Sequence, residues 1–146
     1  WLLSLDNKGY SLIELLLVLT IVMIISSSAI YFNNRYVEKQ TFELFYNQLK
    51  LDVRHVQMLA ITEERYMKLV FFETGGSRYI GRKSVFDAIF ERPLPPGYHW
   101  SSSSTLKEIA FQPNGTVEKF GTFVFITPDG LKTVRVFIGK GRMVLE

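Results

Sequence analysis

The sequence of 146 residues contains no cysteine, which excludes a disulfide framework, a thiolate-based zinc or iron–sulfur site and a cysteine nucleophile. Its two histidines, His55 and His99, have no acid or nucleophile at a spacing that indicates an active site. A glycine-rich phosphate loop, a His-Glu-x-x-His motif and a Gly-x-Ser-x-Gly motif are absent as well. The sequence therefore predicts that the protein is not an enzyme and requires no cofactor or metal.

Charge is almost absent from an apolar stretch near the N-terminus. From Leu12 to Ile25 the chain reads LIELLLVLTIVMII, with Glu14 as its only charged residue. Extended to residue 32, the stretch is long enough for one membrane span, which needs roughly 20 apolar residues as helix. A buried core helix and a cleaved signal peptide are the alternatives, and residues 26–29 (SSSA) would suit a cleavage site. Glu14 favours a retained span, since an acid inside the apolar core is costly and has no use in a generic signal peptide.

Proline and glycine are absent from residues 11–74, so no residue of this segment is a strong helix breaker. Apolar residues in its second half recur at spacings of three and four, the pattern of an amphipathic helix. They are Phe42, Phe45, Leu49, Val53, Val56 and Ala60. The sequence predicts one long helix from Ser11 to about Thr62.

After Thr62, short apolar runs alternate with turn residues. Pro-Asn-Gly at 113–115 and Pro-Asp-Gly at 128–130 indicate turns, because proline fixes φ and glycine permits positive φ. Strands are predicted at Tyr66–Phe72, Arg78–Ile80, Val85–Phe90, Ile109–Phe111, Thr122–Ile126, Thr133–Ile138 and Met143–Leu145. The predicted fold class is α+β, with a long N-terminal transmembrane helix packed on a head with a mainly antiparallel β-sheet.

The segment Lys8–Glu14 (KGYSLIE), followed by LLLVLTIVMII, resembles the prepilin cleavage signature of type IV pilins and pseudopilins. In that family a prepilin peptidase in the membrane cuts after the glycine, and the new N-terminal residue is methylated. The resemblance implies a leader at 1–9, cleavage between Gly9 and Tyr10, N-methylation of Tyr10 and a role for Glu14 in assembly. Tyr10 stands where the family usually has phenylalanine.

The chemistry of this arrangement explains why an acid would be placed there. Cleavage after Gly9 creates an α-ammonium at Tyr10, and staggered packing would bring Glu14 of one subunit to the amino terminus of its neighbour. In a low dielectric, this pairing offsets the desolvation of both charges. The alternative is that Glu14 only reaches the membrane interface.

The family also implies an organisation and a location. A transmembrane and assembly helix would occupy 10–32, and a pilin head that includes the rest of the long helix would occupy 33–146. The precursor would cross the cell membrane once, with its N-terminus inside and its C-terminus outside. It would then enter a pilus that crosses the cell wall to the cell surface.

The C-terminal half is similar to one branch of the family. The segments LAITEER, KLVFF, FERP and VRVFIGKGRMVLE resemble the minor pseudopilin D of Gram-positive competence, which shares its head with H-type and T-type minor pilins. This resemblance implies a structural subunit of a DNA-uptake pilus used in transformation. Its implied partners are a major pilin, other minor pilins, a platform protein and an assembly ATPase. A minor pseudopilin of a type II secretion or adhesion pilus is the alternative.

Direct contact with DNA is a further possibility that the charge raises. Residues 65–146 carry 12 basic and 7 acidic side chains, a net charge of +5, which suits contacts with phosphate. The candidates are Arg135, Lys140 and Arg142. Arg142 follows a glycine, as in the Gly-Arg-x-Arg motif that is associated with DNA contact in T-type minor pilins, but Val144 replaces the second arginine. Solvated surface charge is the alternative interpretation.

Overall fold

The structure, a computed structural model, describes residues 11–74 and 76–146, and for residues 29–36 and 38 it describes the backbone alone. The predicted leader at 1–9, including Gly9, and the predicted methylation residue Tyr10 lie outside these ranges. The chain forms two compact units, of which the first ends at Val37 and the second comprises Glu38–Glu146.

The first unit contains the beginning of helix α1 (Leu12–Thr62). Large apolar side chains from Leu12 to Ile25 are exposed, with exposed fractions between 47% and 79%. Within the parts of the chain that are described, no helix is both long enough and apolar enough to cross a membrane. The span predicted at 10–32 includes Tyr10 and the side chains of residues 29–32, which lie outside those parts.

The second unit contains the amphipathic part of α1. All six residues of the predicted apolar stripe are buried, which confirms the prediction made from their spacing: Phe42, Phe45, Leu49, Val53, Val56 and Ala60. The helix ends at Thr62, where the backbone N–H of Arg65 donates to the carbonyl of Ala60 at 3.1 Å. Glu64 has a φ of 49°, so the helix ends with a left-handed residue, a position that glycine usually occupies.

In the described residues after the helix, eight strands form two antiparallel sheets of four strands each. The first has the order β3-β2-β1-β5, and the second has the order β4-β6-β7-β8. Their bounds are β1 Met67–Phe72, β2 Arg78–Arg82, β3 Ala88–Pro93, β4 His99–Trp100, β5 Glu108–Phe111, β6 Gly121–Thr127, β7 Gly130–Val136 and β8 Met143–Leu145. The α+β class, a long N-terminal helix with antiparallel sheets, is therefore confirmed. The sequence predicts one main sheet, whereas the described residues of the head form two.

Two strand predictions were partly wrong. The run Val85–Phe90 was predicted as a strand, but β3 begins only at Ala88. The backbone N–H of Lys83 donates to the carbonyl of Asp87 at 2.9 Å. The turn closed in this way places Phe86 in solvent, and this residue is 98% exposed. Strand β7 stops at Val136 instead of residue 138, and the N–H of Phe137 donates to the carbonyl of Arg142 where the turn between β7 and β8 begins.

Strand β4 was missed by the sequence analysis. It contains only His99 and Trp100, which pair with Ile126 and Phe125 of β6. Two residues are too few to show the alternation by which strands are recognised. The signal at this position came instead from the prolines at 95 and 96, which indicated irregular structure.

One apolar core joins α1 to both sheets. Phe45 from the helix lies 5.3 Å from the ring of Phe125 in the second sheet, and Phe71 from the first sheet lies 4.7 Å from the ring of Phe123. Because aromatic rings bury large areas and favour tilted contacts, these pairs hold the two sheets against the helix.

A buried acid lies beside this core. Asp52 of α1 is 4% exposed, and its carboxylate accepts hydrogen bonds from Tyr79 of β2 at 2.7 Å and Arg92 of β3 at 2.8 Å. The Gln48 amide donates to the same carboxylate at 3.0 Å. Burial and the bond to Asp52 raise the pKa of Tyr79, so its hydroxyl stays protonated and donates. Asp52 therefore ties the helix to two strands of the first sheet.

Candidate functional site

Glu14 is the first acidic side chain of α1 and lies in its first turn. Its backbone N–H donates to the carbonyl of Ser11 at 2.9 Å, and the residue as a whole is exposed. Glu14 makes no ion pair with any of the side chains that the structure describes. A carboxylate at a helix N-terminus is favoured by the helix dipole, but here it also remains available to a cation from outside the described chain.

Three hydroxyl groups that follow Glu14 in the apolar part of α1, those of Thr20, Ser27 and Ser28, donate to carbonyls of the same helix. The Thr20 hydroxyl donates to the carbonyl of Leu17 at 2.7 Å, and the Ser27 hydroxyl donates to the carbonyl of Met23 at 2.8 Å. These hydroxyls need no external partner, since backbone carbonyls already accept hydrogen bonds from them. Glu14 differs from these three residues, because it is charged and has no ion-pair partner among the described side chains.

In the head, the three cations predicted to contact DNA do not share one place. Arg135 lies in β7 and forms an ion pair with Glu146, with 2.9 Å between nitrogen and oxygen. It lines an apolar pocket of about 370 Å³ together with Phe120 and Phe137. Its charge is therefore already partly neutralised within the chain.

Lys140 and Arg142 lie together on the turn between β7 and β8, where they line a groove of about 350 Å³. The opposite side of this groove is formed by α1, which contributes Lys50 and Arg54. The sequence analysis did not propose these two helix residues as contacts. Their spacing of four residues places them on one face of a helix and could have indicated a shared surface, but it could not show what faces them.

Hydrogen bonds attach the turn to the helix on both sides of Arg142. The Gln57 amide donates to the carbonyl of Lys140 at 3.1 Å and to that of Gly115 at 2.7 Å. The Tyr46 hydroxyl donates to the carbonyl of Met143 at 3.2 Å. Burial raises the pKa of Tyr46, which keeps this hydroxyl protonated. The backbone of the groove is therefore fixed by the helix.

The histidines have ordinary structural surroundings. The ring of His55 stacks on Phe90 with 6.0 Å between centroids, and His99 Nδ1 lies 3.2 Å from the Ser77 hydroxyl. Among the side chains that the structure describes, no group of three or more histidine, aspartate or glutamate residues is arranged to hold a metal ion.

Comparison with known proteins identifies the N-terminal segment and the fold. Residues 5–30 match the prokaryotic N-terminal methylation motif. The structure is similar to two crystal forms of the type IV minor pilin FimU of Pseudomonas aeruginosa. The first match has 16% sequence identity and a TM-score of 0.56, and covers 79% of this chain and 92% of that one.

The second crystal form of FimU has the same 16% identity and a TM-score of 0.52, and the match covers 68% of this chain and 88% of that one. No curated protein matches the sequence. At this identity the likeness concerns the fold, while the N-terminal motif is recognised from the sequence itself. The chain thus combines a prokaryotic N-terminal methylation motif with the α+β fold of a type IV minor pilin.

Proposed function

We propose that this protein is a minor pseudopilin, a structural subunit of a type IV pilus, and that the pilus takes up DNA in transformation. The observation that supports the pseudopilin role is that the methylation motif and a minor-pilin fold occur in the same chain. The exposed apolar surface from Leu12 to Ile25 supports it, because exposed apolar patches of this extent mark membrane or protein interaction sites.

The proposed subunit is made as a precursor that is anchored in the cell membrane with its N-terminus inside. Prepilin peptidase cuts between Gly9 and Tyr10, and Tyr10 is then methylated. The subunit next joins other pilins, with a platform protein and an assembly ATPase driving insertion. Glu14 supports this sequence of events, since it is an exposed acid in the first turn of α1 without a cation among the described side chains.

The DNA-uptake role is supported by the resemblance to competence pseudopilins and by the basic head. A pseudopilin of a secretion or adhesion pilus would have the same processing site and fold. The experiment that separates the two is deletion of the gene in its host, followed by measurement of transformation frequency and of the uptake of labelled DNA. Re-expression of the wild-type gene is the control.

The expected result of the deletion is loss of both transformation and DNA uptake, with recovery on re-expression. Normal transformation together with impaired secretion or adhesion would contradict the competence role and support the alternative. Normal behaviour in all three assays, with the protein absent from sheared pili of the wild-type strain, would contradict the pilin role itself.

Replacement of Gly9 by valine tests the processing step. We expect Gly9→Val to block cleavage, because the family's leader ends in glycine and a branched side chain would occupy that position. The unprocessed protein should remain in the membrane fraction, and its mass should exceed that of the mature chain by the leader. Asn7→Gln is the matched control, since Asn7 lies just before the segment that resembles the cleavage signature. Mature protein in the Gly9→Val strain would contradict the proposed cleavage site.

A further inference from the structure

The groove between α1 and the β7–β8 turn has an unusual charge. Lys50 and Arg54 line it from the helix, and Lys140 and Arg142 line it from the turn. No acidic residue is among the eight that line it. Four cations therefore converge on one groove of about 350 Å³.

The cations of this groove lack the partners that neutralise other basic side chains of the head. Ion pairs with acids occupy Lys68, Arg78, Lys83, Arg92, Lys132 and Arg135. None of the four groove cations forms an ion pair with a side chain in the described part of the chain. Like charges four residues apart on a helix repel each other and destabilise the helix. A bound anion would relieve this repulsion between Lys50 and Arg54.

The groove is also held in a fixed shape before any ligand arrives. Gln57 and Tyr46 of the helix bind backbone carbonyls on both sides of Arg142, at Lys140 and Met143. Gly141 lies between the two turn cations with a φ of 67°, and a Cβ there would lie 2.9 Å from Val117. A side chain at this position would disturb the turn, so the spacing of Lys140 and Arg142 depends on the glycine.

The lining of the groove favours contact with the phosphate backbone over stacking of unpaired bases. Its apolar members, Val53 and Met143, are buried, with exposed fractions of 2% and 8%. The ring of Tyr46 lies 5.0 Å from the Lys50 ammonium, which covers it. The groove lining therefore includes no aromatic ring on which an unpaired base could stack, whereas long basic side chains suit phosphate oxygens.

We propose that this groove binds the phosphate backbone of duplex DNA, with Lys50, Arg54, Lys140 and Arg142 as contacts. The choice of DNA among phosphate polyanions rests on the proposed function, but binding requires no filament. Arg135 is not part of this site, because it pairs with Glu146 and lines a different pocket. Contact with the backbone alone predicts little preference for sequence.

The test compares two double variants that remove the same charge. The full-length protein, purified in detergent, is titrated with a short fluorescent duplex over a range of salt concentrations. Arg54→Gln combined with Arg142→Gln removes one exposed cation from each side of the groove. Lys107→Gln combined with Lys119→Gln removes two exposed cations outside it and is the matched control.

We expect the wild-type affinity to fall with salt at a slope of about −3 to −4 on logarithmic axes, as four phosphate contacts require. The groove variant should bind about tenfold more weakly at about 0.15 M salt, with a slope smaller in magnitude by about 2, while the control stays near wild type. Duplexes of different sequence should bind alike, and single-stranded DNA should bind more weakly.

Equal losses in the two variants would overturn the proposal, since they would show a general charge effect. Tighter binding of single-stranded DNA, a clear sequence preference, or no binding by the wild type at low salt would overturn it as well. The groove variant should also enter pili normally but reduce DNA uptake. If the purified protein binds DNA as described and deletion of its gene leaves uptake intact, the proposed function fails while the site stands.

Discussion

Replacement of Asp52 by alanine is expected to lower the free energy of unfolding of the head by about 3 kcal/mol, which lowers the melting temperature by about 10 °C. The carboxylate accepts hydrogen bonds from Tyr79, Arg92 and Gln48, and it is 4% exposed. Its removal leaves the hydroxyl of Tyr79, a residue that is 1% exposed, without its acceptor. A buried donor left without an acceptor costs about 1–3 kcal/mol by itself.

The remaining loss of unfolding free energy comes from the ion pair between Asp52 and Arg92, whose side chain is 47% exposed. Water can replace the carboxylate there, so this contribution is small, about 1 kcal/mol or less. Asp52→Asn should therefore be milder than Asp52→Ala, because an amide oxygen still accepts the proton of Tyr79. The order of the two variants distinguishes the lost hydrogen bond from the lost charge.

Thermal unfolding of the full chain in detergent measures this effect. Leu51→Ala is the matched control, since Leu51 is the neighbouring helix residue and is 60% exposed. We expect the control to change the free energy of unfolding by less than about 0.5 kcal/mol. Equal melting temperatures for Asp52→Ala and Leu51→Ala would show that the carboxylate does not hold the helix to the first sheet.

Replacement of Glu14 by alanine is expected to leave leader cleavage intact and to reduce the amount of the protein in purified pili at least tenfold. Two opposite charges 4 Å apart attract by about 4 kcal/mol at an effective dielectric constant of about 20, which is more than enough for this change. The pairing partner in the proposed filament is the methylated amino terminus of a neighbouring subunit. Glu14→Gln should behave like Glu14→Ala, because it removes the charge while keeping the shape.

The measurement is quantitative immunoblotting of sheared pili and of membranes from the same cells, with the mass of the mature chain as the readout of cleavage. Thr20→Ala is the matched control, because Thr20 is also a polar residue in the apolar part of α1 but is satisfied by the carbonyl of Leu17. Incorporation of Glu14→Ala at the wild-type level would favour a role confined to the membrane interface.

Local patterns predicted the helix well. The spacing of its apolar residues determines which face is buried, and all six predicted positions are buried. The predicted end near Thr62 agrees with the observed end, even though the left-handed residue after it is Glu64 instead of glycine. The methylation motif was also readable, since it consists of consecutive residues.

Features that depend on residues far apart in the chain could not be predicted. Asp52 reaches Tyr79 across 27 residues and Arg92 across 40, and a single acid on a helix face gives no sign of either partner. The basic groove could not be predicted for the same reason, since Gln57 is 83 residues from the Lys140 carbonyl to which it donates. Proximity in the chain therefore grouped Arg135 with Lys140 and Arg142, whereas the fold separates it from them.

The polar attachments of α1 also have a mechanical consequence. Asp52 connects the helix to β2 and β3, Gln57 connects it to the carbonyls of Gly115 and Lys140, and Tyr46 connects it to β8. A force along the helix loads these attachments in parallel as shear, together with the apolar core, so that they must rupture together instead of one after another. The head should accordingly unfold slowly under tension, because forced unfolding is governed by the height of this barrier.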